Sequence, residues 1–118
     1  MTDLRVLKLD HNHIDNIAPN ISKMRKLNVL SISHNQLKSI PKEIANLKDS
    51  LQSLNLGFND IVFLGNDLSE LMNLSSLILN NNAFISLPTS LYNLTNLAEL
   101  GLEWFKYVRP AQNALLKQ

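Results

Sequence analysis

The chain has no cysteine. That excludes disulfides and every metal site built on thiolates, and it favours a reducing compartment, the cytoplasm. Glycine is scarce, with three residues in 118, and neither a phosphate-cradling glycine loop, a nucleophile elbow nor a zinc signature occurs. Carboxylates are scattered rather than paired, so catalysis by this chain alone is not expected and no cofactor is implied. Eleven Lys and Arg face ten Asp and Glu, for a net charge of +1. Without a long basic run the chain lacks the electrostatic footprint of a nucleic-acid binder. Nowhere do 18 apolar residues follow one another, so no transmembrane helix is expected. Met1-Thr2-Asp3-Leu4-Arg5 leads into no apolar run and reads as no signal peptide. The length allows one domain at most.

Asparagine, by contrast, is abundant and periodic. The stretch Leu51-Gln52-Ser53-Leu54-Asn55-Leu56-Gly57-Phe58-Asn59-Asp60-Ile61 reads L-x-x-L-x-L-x-x-N-x-I, and the phrase returns at 4–14, 27–37 and 74–84. Asn12, Asn35, Asn59 and Asn82 share one phase of it, 23, 24 and 23 residues apart. On this period and wording the chain resembles the leucine-rich repeat family over nearly its whole length. The resemblance implies an α/β solenoid: a curved, right-handed array with a parallel β-sheet on the concave face and short helices on the convex face.

The repeats run 4–26, 27–50, 51–73 and 74–96, and a partial fifth repeat with a C-terminal cap fills 97–118, all in one domain over 1–118. Ile40, Ile44 and Leu47 follow the i, i+4, i+7 spacing of a helix face, and Pro41 suits a first helical turn, so about two turns of helix are expected behind the sheet. Leu64, Leu68 and Leu71 repeat the spacing, with Gly65 in place of the proline. The second repeat carries one extra residue in Lys48-Asp49-Ser50, in the return loop. In the fifth, Phe105 stands where the asparagine is due, and Trp104, Phe105 and Tyr107 are expected to cover the last repeat. No capping segment precedes Leu4, so the first repeat is open to end-to-end association.

Strands spaced about 4.8 Å cannot match helices about 8–10 Å apart, hence the curve. The ladder asparagine follows each strand, where the chain turns inward and main-chain groups lose their strand partners. A carboxamide supplies both donors and an acceptor there. On this reading Phe105 is tolerated because no following turn needs linking.

Between the buried leucines lie the residues of the concave face. One column reads Val6, Val29, Ser53, Ser76, Glu99, and the next Lys8, Ser31, Asn55, Ile78, Gly101. The third reads Asp10, Ser33, Gly57, Asn80, Glu103, and the fourth His11, His34, Phe58, Asn81, Trp104. Lys8, Asp10, His34, Asn55, Phe58, Ile78, Asn80, Glu103 and Trp104 are the candidate partner-binding residues. Phe58 and Trp104 are the aromatic anchors, although Trp104 equally suits the cap and Phe58 equally suits packing on its neighbours. His11 and His34, in one column of adjacent repeats, are close enough to consider a shared metal. Only Asp10 stands near as a third ligand, so no metal site is expected.

The wording Ile40-Pro41-x-x-Ile44 and Leu87-Pro88-x-x-Leu91 is similar to the intracellular Ras-group repeats of scribble-like and Ras-suppressor-like scaffolds. That resemblance implies a module that binds a protein or peptide on its concave face, as a scaffold, a signalling adaptor or a fragment of one. An alternative is the regulatory segment of a larger enzyme, such as a kinase, cyclase or ubiquitin ligase, whose catalytic domain lies elsewhere. A third is a fragment of an extracellular receptor. The N-x-S/T triplets at Asn20, Asn73 and Asn93 would then matter, though chance predicts about as many.

Overall fold

The computed structural model describes residues 3–103. Five three-residue strands form one parallel sheet in chain order: β1 Val6–Lys8, β2 Val29–Ser31, β3 Ser53–Asn55, β4 Ser76–Ile78 and β5 Glu99–Gly101. The sheet is curved. Its register keeps the repeat phase, so Leu7, Leu30, Leu54, Leu77 and Leu100 stand side by side. Period-2 alternation sends these leucines inward and their neighbours onto the concave face. Leu30, Leu54 and Leu77 are fully buried, while Leu7 and Leu100, at the two ends, are half-buried. Stacked coils bury what one coil could not. Leu27, Leu51, Leu56, Ile61, Leu74 and Leu79 complete a continuous core.

The convex side departs from expectation. Each coil crosses it as a 3-10 helix of five or six residues, at Pro19–Lys23, Lys42–Leu47, Asn66–Glu70 and Thr89–Asn93, not as two turns of α-helix. Ile40 lies before the helix, and the pairs that face the core are three residues apart: Ile21 and Met24, Ile44 and Leu47, Leu68 and Leu71, Leu91 and Leu94. With three residues per turn, such pairs lie one above the other. Segments this short gain little from α-helical cooperativity. Pro41 and Pro88 sit one residue before their helices, in extended backbone, and Gly65 adopts extended backbone at the same place.

The extra residue of the second repeat lies in the return, as expected. Leu51 N–H reaches the carbonyl of Leu47, four residues back, where Leu27, Leu74 and Leu97 reach only three.

Candidate interaction surface

The asparagine ladder positions the surface. Asn35 Oδ1 accepts the N–H of Ile14 at 3.0 Å, Asn59 Oδ1 that of Leu37 at 3.0 Å, and Asn82 Oδ1 that of Ile61 at 3.1 Å. Their Nδ2 groups donate to the carbonyls of Leu9, Ile32 and Leu56, each at 2.9 Å. Every one of these partners lies in the preceding coil. This corrects the reason offered for Phe105: the ladder side chain ties its own coil to the one before it, so a missing following turn does not explain the substitution. Phe105 itself, Trp104 and the expected cap over 104–118 fall outside the described residues.

Just before each ladder asparagine the backbone turns left-handed. His11, His34, Phe58 and Asn81 have φ of 58, 55, 56 and 56°. Asparagine and histidine tolerate that region better than most residues; Phe58 does so at a cost of roughly 1–2 kcal/mol. Each of the four donates its N–H to the next coil, accepted by the carbonyls of Ser33, Gly57, Asn80 and Glu103 at 2.8–3.1 Å. The conformation lines up the side chains. The rings of His11 and His34 stack with centroids 4.2 Å apart and planes 14° apart, and those of His34 and Phe58 at 4.2 Å and 10°. Such pairs contribute about 0.5–1.5 kcal/mol each. Phe58, 47% exposed, is the outer surface of that stack and not part of the core. An imidazole binds metal through a lone pair in its ring plane. Face-to-face rings direct those lone pairs side by side, so His11 and His34 do not converge on one ion in this arrangement. Among the described residues no cluster of three His, Asp or Glu could hold a metal.

The concave candidates divide into two kinds. Lys8 and Glu103 are exposed, and Ile78 is half-buried. Asp10, Asn55 and Asn80 instead serve the backbone and side chains around them. Asp10 Oδ1 accepts the hydroxyls of Ser31 at 2.6 Å and Ser33 at 2.8 Å, and the Ser33 N–H at 2.8 Å. Burial pushes the Asp10 carboxyl up, but these three hydrogen bonds and the nearby His11 outweigh it and hold the group below its ordinary value. Asn55 Oδ1 accepts Gly57 N–H at 3.0 Å, and Asn80 Oδ1 accepts Glu103 N–H at 2.8 Å. Glu99 Oε1 takes the Ser76 hydroxyl at 2.6 Å.

Sequence reasoning missed two features. The left-handed column had a signal, since Asp-His-Asn, Ser-His-Asn and Asn-Asn-Asn place αL-tolerant residues at one phase. The second is an exposed apolar patch of Val62, Phe63 and Ile85 beyond the ladder turn. Val62 and Ile85 share a phase that carries Asp15 and Lys38 in the first two repeats.

Among solved structures the chain is similar to a leucine-rich repeat protein of Leptospira interrogans, with 30% identity and a TM-score of 0.85 over 93% of this chain and 28% of that one. It is similar also to an internalin from Listeria monocytogenes, with 30% identity and a TM-score of 0.80 over 96% of this chain and 32% of that one. The chain thus spans under a third of either structure. No curated protein matches it. No helix among the described residues is long and apolar enough to cross a membrane. Residues 1–117 match the family described as a leucine-rich repeat region; with the strand register and the backward-tied asparagines, this shows that the chain belongs to the leucine-rich repeat family.

Proposed function

We propose that the chain binds a protein or peptide partner on its concave face, as a scaffold, a signalling adaptor or a part of one. The observation that carries the reading is the exposed ring column. In a chain that buries its strand leucines, Phe58 stands 47% exposed on His34, at the edge of a face that is otherwise small and neutral. Exposed aromatics on a rigid frame are the side chains that most often anchor a partner. Lys8, His34, Phe58, Ile78 and Glu103 are the contacts in this proposal, with Trp104 as a further anchor. Asp10, Asn55 and Asn80 support the face by fixing its backbone. Residues 1–118 act as one domain.

The Ras-group likeness is part of the same proposal and rests on Ile40-Pro41 and Leu87-Pro88, whose prolines precede two of the convex turns. A cytoplasmic location goes with it, and fractionation of the source cells tests that. A second reading, a regulatory segment of a larger enzyme, is favoured by one observation: the chain spans under a third of the two similar structures. An in-frame catalytic domain beside this segment would decide for it.

The test is capture of partners from the source cell by the immobilised chain, read by mass spectrometry. Lys8→Glu with Phe58→Ala is expected to remove the captured protein while the melting temperature falls by only a few degrees. Lys42→Glu, on the convex side, should leave capture intact. A partner retained by the double variant would refute the concave-face reading.

A further inference from the structure

The first coil presents an interface with one half missing. From the second coil on, each ladder Oδ1 receives an N–H from the coil before. Asn12 has its Nδ2 on the carbonyls of Leu9 and Asp10, but among the described residues no N–H reaches its Oδ1. On the same outer side lies an apolar cleft of about 370 Å³, lined by Leu7, Leu9, Ile14, Ile17, Ile21 and Met24 among others. Leu7 and Leu9 are half-buried, where their counterparts Leu30 and Ile32 are buried. Val29 N–H and Ser31 C=O pair with β1; by the same register Val6 N–H and Lys8 C=O face the open edge. An apolar cleft, an unpaired strand edge and a carboxamide acceptor in repeat register fit another coil of the same kind.

We propose that copies of this chain associate head to tail, the first coil of one seated on the trailing end of another. Charge selects that occupant. Extending the sheet register by one step sets Val6 beside Glu99 and Lys8 beside Gly101. Gly101 has no side chain, so the Lys8 ammonium enters between Glu99 and Glu103, both exposed, with Arg5 alongside. Two first coils face to face would instead oppose Arg5 and Lys8 to their own copies. Trp104, the one tryptophan, shares the sequence phase of His11 and lies in the trailing segment, so the interface carries its own reporter. A head-to-tail contact is heterologous and yields a concentration-dependent series, not a single dimer. The inference does not depend on the concave-face reading, because it is measured on the purified chain without a partner.

Sedimentation velocity over rising concentration tests it, with tryptophan emission followed in parallel. The weight-average sedimentation coefficient of the wild type is expected to rise and the emission to shift with it. Arg5→Glu with Lys8→Glu, and separately Glu99→Lys with Glu103→Lys, should each sediment as monomers. Their mixture should associate again, because each swapped end then meets an opposite charge. Lys8→Ser, which copies Ser31 of the next coil, should weaken association at least about tenfold while melting like the wild type. A wild-type chain that stays monomeric overturns the proposal. So does association that survives either double swap, as a first-coil-to-first-coil dimer would survive the Glu99 and Glu103 swap, and so does association unchanged in Lys8→Ser.

Discussion

The side chain of Asn59 holds the backbone of Leu37. Asn59 Oδ1 accepts the Leu37 N–H at 3.0 Å, while its Nδ2 donates to Ile32 in the same preceding coil. Asn59 and Asn35 are buried, Asn82 is half-buried and Asn12 is exposed. Loss of a buried partner that leaves backbone groups unsatisfied costs about 1–3 kcal/mol. Asn59→Ala and Asn35→Ala are therefore expected to fall in that range, and Asn12→Ala, which ties no preceding coil among the described residues, well below it. Guanidinium unfolding of the three variants gives the order. Equal losses at Asn12 and Asn59 would contradict a ladder that runs backward.

The sequence made the ladder's presence legible but not its direction. A carboxamide can serve either neighbour, and equal spacing looks the same from both ends. Strands and their register were legible because alternation and the 23-residue period are written in side chains. The type of convex helix was not, since Ile44 and Leu47 satisfy both a helical face and a 3-10 turn. The concave columns could be read off one by one, yet their division into exposed contacts and internally bonded supports could not. It depends on where Asp10 and Asn80 find hydrogen-bond donors, and those donors lie in the next coil. The stacking of His11, His34 and Phe58 follows from a left-handed backbone that no propensity of phenylalanine would suggest.

Asp10 makes the fold acid-sensitive at one place. Its carboxylate takes two hydroxyls and one N–H from β2 and the turn after it, and it is held below the ordinary 3.8. A depressed carboxyl adds stability above its unfolded value and loses it as pH falls through the folded one. Asp10→Ala should cost about 1–3 kcal/mol at neutral pH, because Ser31 and Ser33 are buried and lose their acceptor. The gap between variant and wild type should narrow below the ordinary carboxylate value. Urea denaturation at several pH values measures it, and a gap independent of pH would show that the carboxylate charge contributes nothing.

Gly101 and Gly57 occupy the concave face for different reasons. A Cβ on Gly101 would lie 2.8 Å from Asn80 Oδ1 and 3.0 Å from Ile78 Cδ1. It would displace the oxygen that accepts the Glu103 N–H. A Cβ on Gly57 meets nothing nearer than Asn55 Oδ1, at 3.3 Å. Gly101→Ala should therefore destabilise by about 1–3 kcal/mol, as overpacking does, and Gly57→Ala by less. Thermal unfolding of both variants gives the comparison, with the reverse order as the refuting result.

Phe58 separates binding from stability. Its left-handed backbone disfavours most replacements, alanine included, but the next coil carries Asn81 at the same place with the same φ of 56°. Asparagine relieves backbone strain of roughly 1–2 kcal/mol, against the loss of one stacked pair worth about 0.5–1.5 kcal/mol. The two effects nearly cancel, so Phe58→Asn should leave stability within about 1 kcal/mol of wild type. The same change removes the exposed ring that the concave-face proposal relies on. Partner capture should fall at least about tenfold, the scale of one aromatic anchor, while the melting curve hardly moves. His34→Asn should act the same way more weakly, since it removes the support beneath the ring and leaves the ring itself. If Phe58→Asn binds as well as wild type and His34→Asn does too, the ring column is an element of stability alone and the partner lies on another face.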